Sequence, residues 1–181
     1  MSLAAQDPDE VFDVVDADNR VVGRERRSVI HARGLLHRAV HLLWLRDDGR
    51  LCLQRRSFRK DSCPGLLSTS CAGHLDSGED YLPAMVRELR EENGVKVRPA
   101  ELREVDAPPA HADLGNEFVR VYLLRGDRPF RIHPPEVDAL LWRTPAEVDA
   151  WVRSRPGLFS SSLRHLLGRP AIRQALGLAK G

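Results

Sequence analysis

The chain has 181 residues, of which 42% are hydrophobic and 30% charged, a balance that suits one compact domain and excludes disorder throughout. Its net charge is only +2, with basic and acidic residues interleaved, so the composition indicates no nucleic-acid partner and leaves small anionic ligands open. No apolar run reaches the roughly 20 residues of a membrane span, and the three cysteines lack zinc-type spacing. We therefore expect a reduced, cytoplasmic protein with no membrane partner. The polar residues 1–10 are expected to form a mobile tail before a single domain at 11–181.

Strands and helices alternate irregularly along that domain. Strands are predicted over 11–16, 21–24, 38–45, 51–54, 66–72, 101–106, 117–125 and 140–143, with the first two forming an edge hairpin. Helices are predicted over 80–93, from the capping box Thr144-Pro145-Ala146-Glu147 to about 153, from Ser160 or Ser161 to 167, and over 170–178. Because hairpins and helix crossovers both occur, the expected fold class is α/β, an α/β/α sandwich with a mixed β-sheet.

The helix over 80–93 carries the chemistry. Asp80 can cap its start, and Gly94 stands where a left-handed cap ends a helix. Glu88, Glu91 and Glu92 lie at i, i+3 and i+4, which places three carboxylates at one level of one side. Their mutual repulsion is relieved by Mg²⁺ or Mn²⁺, which prefer oxygen ligands, or by exposure on a solvated acidic face.

Spacing around these glutamates resembles the Nudix box, G-x5-E-x7-R-E-U-x-E-E-x-G-U with U aliphatic. The matching residues are Gly73, Glu79, Arg87, Glu88, Leu89, Glu91, Glu92, Gly94 and Val95. The resemblance implies that Glu88, Glu91 and Glu92 bind metal with the Gly73 carbonyl. Arg87 and Glu79 would support that geometry, Arg87 by holding carboxylates in its guanidinium fork, while Gly73 would also let the chain turn sharply.

Membership of the Nudix hydrolases implies Mg²⁺- or Mn²⁺-dependent cleavage of a diphosphate linkage by activated water. The implied partner is a small molecule, a nucleoside di- or triphosphate or another nucleoside diphosphate derivative. Glu117, at the start of its strand, is the candidate for an additional metal ligand or general base. The loop residues Arg55, Arg56, Arg59 and Lys60 are predicted to bind phosphate, with a solvated basic loop as the alternative.

Residues 11 to 150 also resemble the type 1 isopentenyl-diphosphate isomerases. The segments that carry this likeness are the run 36–51, Gln54-Arg55-Arg56-Ser57, Cys63-Pro64-Gly65 and Ala72-Gly73-His74. Those isomerases carry a cysteine directly before the Gly-His pair, where this chain has Ala72; Cys71 comes one residue earlier and is expected to point to the opposite sheet face. Where the isomerases have Glu-x-Glu, this chain has Gly115-Asn116-Glu117. A hydrolase is therefore favoured, with double-bond isomerisation as the alternative.

The sequence leaves the roles of several histidine and aromatic residues open. His37 and His74 match the isomerases' histidine metal cluster, with His31 one residue out of place; they would bind a metal or simply hydrogen-bond at strand ends. Trp44, Phe58 and Phe159 would stack on a base or pack in the core. The box is intact, which disfavours a catalytically silent binding module. A homodimer through the N-terminal hairpin is a further expectation.

Overall fold

The computed structural model describes residues 7–179. Its strands are β1 (Val11–Val15), β2 (Val21–Arg26), β3 (His37–Leu45), β4 (Leu51–Arg56), β5 (Leu67–Ser68), β6 (Cys71–His74), β7 (Arg103–Asp106), β8 (Glu117–Arg125) and β9 (Val137–Arg143). Its α-helices are α1 (Arg27–Arg33), α2 (Tyr81–Asn93), α3 (Pro145–Ser154), α4 (Ser161–Gly168) and α5 (Pro170–Ala175). No helix between residues 7 and 179 is long and apolar enough to cross a membrane.

The main sheet is mixed and is built around β3, which pairs in parallel with β8 and antiparallel with β4 and β6. Side chains alternate along β3: Ala39 and Leu43 face a core shared with α4 and α5, while Val40 and Leu42 face a second core under α2. Both faces of the sheet are thus covered by helices, which confirms the α/β/α sandwich. The continuous apolar run of this strand is typical of a strand buried on both sides.

The β1–β2 hairpin forms a separate two-stranded sheet, so its prediction as an edge of the main sheet was wrong. Of the predicted tail, residues 1–6 lie outside the described residues. The carbonyls of Pro8 and Glu10 accept hydrogen bonds from the amides of Ser28 and Arg27, at 3.2 and 2.7 Å, and so hold the first turn of α1.

Three other local predictions need correction. The strand predicted over 66–72 is two strands, because β5 pairs with β4 while β6 crosses to β3. The segment at Pro99–Glu101 is a short 3-10 helix, so β7 starts only at Arg103. Helix α1 was not predicted; it ends at Gly34, whose left-handed conformation (φ 62°) lets its amide close the last turn.

Helix α2 has the predicted bounds to within one residue. Gly94 is left-handed (φ 65°), and its amide bonds the carbonyls of Leu89 and Arg90, as expected. Asp80 occupies the N-cap position, but its side chain makes no capping hydrogen bond, so that detail was wrong. Met85 and Leu89 are fully buried against the sheet, and each such side chain contributes about 1.5–3 kcal/mol of burial free energy. This packing fixes which side of α2 presents its glutamates.

Candidate active site

A cleft of about 290 Å³ lies where α1, α2, β6, the start of β8 and the start of α4 meet. Its acidic lining residues are Asp7, Glu10, Glu88, Glu91, Asp113, Glu117 and Glu136. Its basic lining residues are Arg27, Arg56, Lys60 and Arg87, together with His31, His41 and His74. The cleft therefore offers carboxylates for a cation and arginines for an anion side by side.

Gly73 leaves room for the carboxylate of Glu88 because it has no side chain. It lies inside β6, opposite Val40, and its φ is not in the left-handed region, so the predicted sharp turn was wrong. A Cβ atom on Gly73 would stand only 2.0 Å from Cδ of Glu88 and 2.1 Å from its Oε1. Glycine is required here because the Glu88 carboxylate lies directly against the strand.

Arg87 organises the carboxylates, as its place in the sequence predicted. Its guanidinium holds Glu79 in a bidentate pair at 3.1 and 2.7 Å and donates to Glu88 Oε1 at 2.8 Å. It also donates to Glu91 Oε2 at 3.3 Å and to the His74 carbonyl at 2.9 Å. One planar cation thus orients two glutamates that line the cleft and ties α2 to the end of β6.

Glu88 carries the clearest sign that a cation belongs here. Burial, and next the negative charge of Glu92, raise the pKa of Glu88 to about 8 despite the opposing effect of Arg87. A carboxyl group in that state either takes a proton near neutral pH or is neutralised by a bound cation. The oxygen donors of Glu88, Glu91 and the Gly73 carbonyl fit a hard divalent ion such as Mg²⁺ or Mn²⁺.

Glu92, by contrast, is fully buried and does not line the cleft. Its carboxylate accepts hydrogen bonds from Gln54 Nε2 at 2.8 Å, Lys60 Nζ at 3.2 Å and the Ala72 amide at 3.4 Å. Burial opposes ionisation, but the ammonium of Lys60 keeps the pKa of Glu92 below its ordinary value. Of the three predicted glutamate ligands, Glu88 and Glu91 therefore line the cleft, whereas Glu92 lies behind it, in contact with Lys60.

The predicted basic cluster is only partly assembled. Arg56 and Lys60 line the cleft, whereas Arg55 pairs with Asp138 at 2.5 Å, and neither Arg55 nor Arg59 is among the lining residues. Lys60 is itself buried and bonds Glu92 and, at 2.9 Å, Glu136. The ammonium of Lys60 therefore neutralises carboxylates of the site.

Sequence reasoning missed Arg27, the first residue of α1. Its side chain is buried, lines the cleft and donates to Asp61 at 2.6 and 3.1 Å, while its Nε atom has no partner within the described residues. No pattern in the sequence marked it, because helix α1 itself was not predicted and its start carries no capping side chain. Arg56 is the second arginine of the cleft, and its guanidinium donates to the carbonyl and hydroxyl oxygens of Ser62 at 3.0 and 2.9 Å. The two arginines bring positive charge of the kind that suits phosphate oxygens, although their present partners are protein oxygens.

Three histidines come together near the end of β6, and two of them, His31 and His74, line the cleft. His31, His37 and His74 each offer a ring nitrogen within 4.8 Å of the others. Glu117 Oε1 lies 3.0 Å from Nε2 of His74 and 3.5 Å from Nε2 of His37. Although burial opposes it, the two adjacent histidines, His37 and His74, hold the pKa of Glu117 well below its ordinary value. Burial and the neighbouring histidines lower the pKa of His31 to about 4.

The His37 ring has one hydrogen-bonded nitrogen and one buried nitrogen that has no hydrogen-bond partner among the described residues. Its Nδ1 lies 2.9 Å from the carbonyl of Leu35, which fixes the proton on Nδ1. The buried Nε2 atom then faces the carboxylate of Glu117 with a lone pair and has no hydrogen-bond partner of its own. A metal ion held by the three histidines would relieve that contact, so these residues fit a metal, as do the glutamates of α2.

Cys71 and Ala72 lie on opposite faces of β6, as strand alternation predicted. Ala72 lines the cleft, whereas Cys71 is fully buried under α2, where burial raises the pKa of its thiol well above the ordinary value. Among the open aromatics, Trp44 and Phe159 are core residues and Phe58 is 72% exposed. Within the described residues, 7–179, none of these three side chains lines the cleft.

The fold and the site define an α/β/α protein with a helix of glutamates beside a cleft that is also lined by arginines. Residues 35–160 match the family model described as the NUDIX domain, and the chain belongs to the Nudix family. It is 35% identical over 139 residues to an isopentenyl-diphosphate delta-isomerase from Serratia proteamaculans, covering 74% of this chain and 76% of that protein. It is 28% identical over 152 residues to an uncharacterized Nudix hydrolase from Clostridium acetobutylicum, covering 80% and 73%. The solved structure of DR0079 from Deinococcus radiodurans superposes with a TM-score of 0.76 at 30% identity, covering 87% and 97%.

Proposed function

We propose that the protein is a Mg²⁺- or Mn²⁺-dependent hydrolase that cleaves the diphosphate linkage of a nucleoside di- or triphosphate, or of another nucleoside diphosphate derivative. The observation that carries this proposal is the pair Glu88 and Glu91, held by Arg87 at the edge of a cleft that also contains Arg27 and Arg56. Cleavage of a diphosphate needs both sets, because the substrate's phosphates repel water and carboxylates alike until their charge is offset.

Glu88, Glu91 and the Gly73 carbonyl would hold the metal. Glu92, buried behind them and paired with Lys60, would contribute to the negative charge around Glu88. A bound Mg²⁺ or Mn²⁺ would offset phosphate charge and lower the pKa of the attacking water. The chain itself supplies binding and orientation: Arg27 and Arg56 take phosphate oxygens, and Arg87 fixes the direction of both glutamates. Glu117, which its histidine partners keep ionised, is the proposed proton acceptor or additional ligand.

The test is release of phosphate or nucleoside monophosphate from a panel of nucleoside di- and triphosphates, dinucleotides and nucleotide sugars, with Mg²⁺, Mn²⁺ or chelator. We expect metal-dependent cleavage of one subset and a loss of at least about 100-fold in Glu91→Gln, which removes a charge with little change of shape. Glu104→Gln on β7 is the matched control, since Glu104 forms only a 3.8 Å surface pair with Arg120. Cleavage that persists in chelator, or full activity in Glu91→Gln, would overturn the proposal.

The histidine cluster favours a second candidate, an isopentenyl-diphosphate isomerase. His31, His37, His74 and Glu117 are assembled, and relatives of similar identity are named as isomerases. Against it, the residue beside Gly73 in the cleft is Ala72, and Cys71, the cysteine next to it in sequence, is buried behind the sheet. Incubation with isopentenyl diphosphate, followed by proton NMR, separates the two: double-bond migration with no hydrolysis of the panel would establish the isomerase.

A further inference from the structure

A second group of histidines lies at the rim of the cleft, outside the site described above. His111 precedes the short 3-10 helix Ala112–Leu114, Asp113 lies within it, and His165 belongs to α4. One donor atom of each side chain lies within 4.8 Å of the other two. Asp113 also lines the cleft, so this group stands at the cleft mouth.

The backbone around this group is firmly held. The carbonyl of His111 accepts hydrogen bonds from the amides of Leu114 and Asn116, at 2.9 and 3.0 Å, and His111 forms an isolated bridge to Glu117. Leu114 and Leu166 are buried in the same core, which fixes α4 against the 3-10 helix. The three side chains thus project from two segments that cannot move far apart.

The distances match those of a transition-metal site. Asp113 Oδ2 lies 3.5 Å from Nδ1 of His111 and 3.6 Å from Nδ1 of His165. Zinc–ligand bonds of about 2.0–2.2 Å at tetrahedral angles separate neighbouring donors by about 3.4 Å. We propose that His111, Asp113 and His165 form a zinc-class metal site at the mouth of the cleft, with further coordination positions open to water or a ligand.

The donor set decides the class of ion. Two imidazoles and one carboxylate favour Zn²⁺, Co²⁺ or Ni²⁺, whereas Mg²⁺ prefers oxygen donors throughout. The rings already face one another, with centroids 4.4 Å apart and planes tilted by 36°. The backbone amide of Asp113 donates to His111 Nδ1 at 3.1 Å, and because the contact is exposed, water can accept from that amide when the nitrogen binds a metal. Access is open, since 51% of the His111 and 54% of the Asp113 side chain is exposed.

Zinc stoichiometry in equilibrium dialysis, with excess Mg²⁺ to occupy the glutamates, tests the site. His111→Gln and His165→Gln each remove one donor, and His133→Gln is the matched control, since His133 pairs with one carboxylate at 3.4 Å and has no second histidine in that pair. Any zinc held by His31, His37 and His74 is common to all four proteins and cancels in the comparison. Co²⁺ absorption, read as variant-minus-wild-type difference spectra, reports the coordination geometry independently.

We expect the wild type and His133→Gln to bind one zinc more than either rim variant. The affinity of this site should fall by at least about 100-fold, because even groups one shell removed from a metal typically contribute 10–100-fold. Wild-type zinc stoichiometry in His111→Gln would overturn the proposal, and so would an equal loss in His133→Gln, which would mean unspecific binding to surface histidines. His111 is mostly exposed, so its variant stays informative even if His165→Gln unfolds, which circular dichroism would reveal.

Discussion

The contact between Gly73 and Glu88 allows a sharp test of how the active site is held. Substitution of Gly73 by Ala adds one methyl group in β6, at a position with ordinary strand geometry. That carbon would lie 2.0 Å from Cδ of Glu88. Ordinary carbon contacts begin at about 3.5 Å, so the carboxylate must retreat by about 1.5 Å and leave its 2.8 Å bond with Arg87.

Activity should suffer far more than stability. Misplacement of a catalytic group by 1 Å is worth about 100-fold in rate, so we expect the turnover of Gly73→Ala to fall by at least that factor. The clash is with the end of a flexible side chain, so the unfolding free energy should fall by only about 1 kcal/mol, the low end for overpacking. Mn²⁺ affinity should weaken in parallel, because Glu88 is a proposed ligand.

Turnover on the best panel substrate, Mn²⁺ binding by electron paramagnetic resonance and urea unfolding are measured on the same preparations. Gly23→Ala in β2 is the control, because a Cβ there meets no atom within 4 Å. If Gly73→Ala keeps turnover and Mn²⁺ affinity within about threefold of Gly23→Ala, the position of Glu88 does not matter to function, and its role as a metal ligand is refuted.

Three further predictions concern charge and burial. Glu92→Gln should reduce turnover and also lower the unfolding free energy by about 3 kcal/mol, because it removes one of the carboxylates that pair with the buried Lys60. Urea unfolding checks this, with Glu91→Gln as the comparison, whose stability should be nearly unchanged. Burial opposes ionisation of Asp106, but the hydrogen bond from Arg169 lowers the pKa of its carboxyl group. This pair therefore stabilises the fold above the unfolded pKa of about 3.9, and that stabilisation disappears as pH falls through the lower folded pKa. Asp106→Asn should therefore be less stable than wild type at pH 7, by about 1 kcal/mol, and equally stable at the acid end; a constant difference would contradict it. In native protein, iodoacetamide should modify Cys63, in the cleft lining, and leave Cys71 intact until unfolding, as mass spectrometry would show.

What the sequence could predict of the site is local along the chain. Glu88 and Glu91 stand at i and i+3, and Arg87 and Glu91 at i and i+4, so the helical period of 3.6 residues predicts that these pairs lie together. The same spacing cannot show that Glu92, only one residue further on, faces the sheet and is paired with Gln54 on β4. That outcome depends on how α2 rotates against the core, which is a tertiary property.

The phosphate-binding side of the cleft was harder to predict because it comes from distant segments. Arg27 reaches the cleft through a helix with no capping signal, and its partner Asp61 comes from a loop 34 residues later. Conversely, Arg55 and Arg59 looked equivalent to Arg56 in sequence. The irregularity in the pairing of β4 with β9, between Arg55 and Arg56, leaves Asp138 unpaired on β9, and Arg55 forms its ion pair there instead. Such choices require the sheet register, which no local pattern contained.

The register of β6 also bears on which of the two chemistries the cleft favours. Cys71 pairs with Leu42 and faces α2, whereas Ala72 pairs with His41 and lines the cleft. A slip of one residue would bring the thiol into the cleft, but it would also place Ala72 where Gly73 now lies, and its Cβ would collide with Glu88. The same slip would remove His74 from His31 and His37. A thiol at the β6 position beside Gly73 would therefore need a substitution at Ala72, and movement of Cys71 cannot supply it.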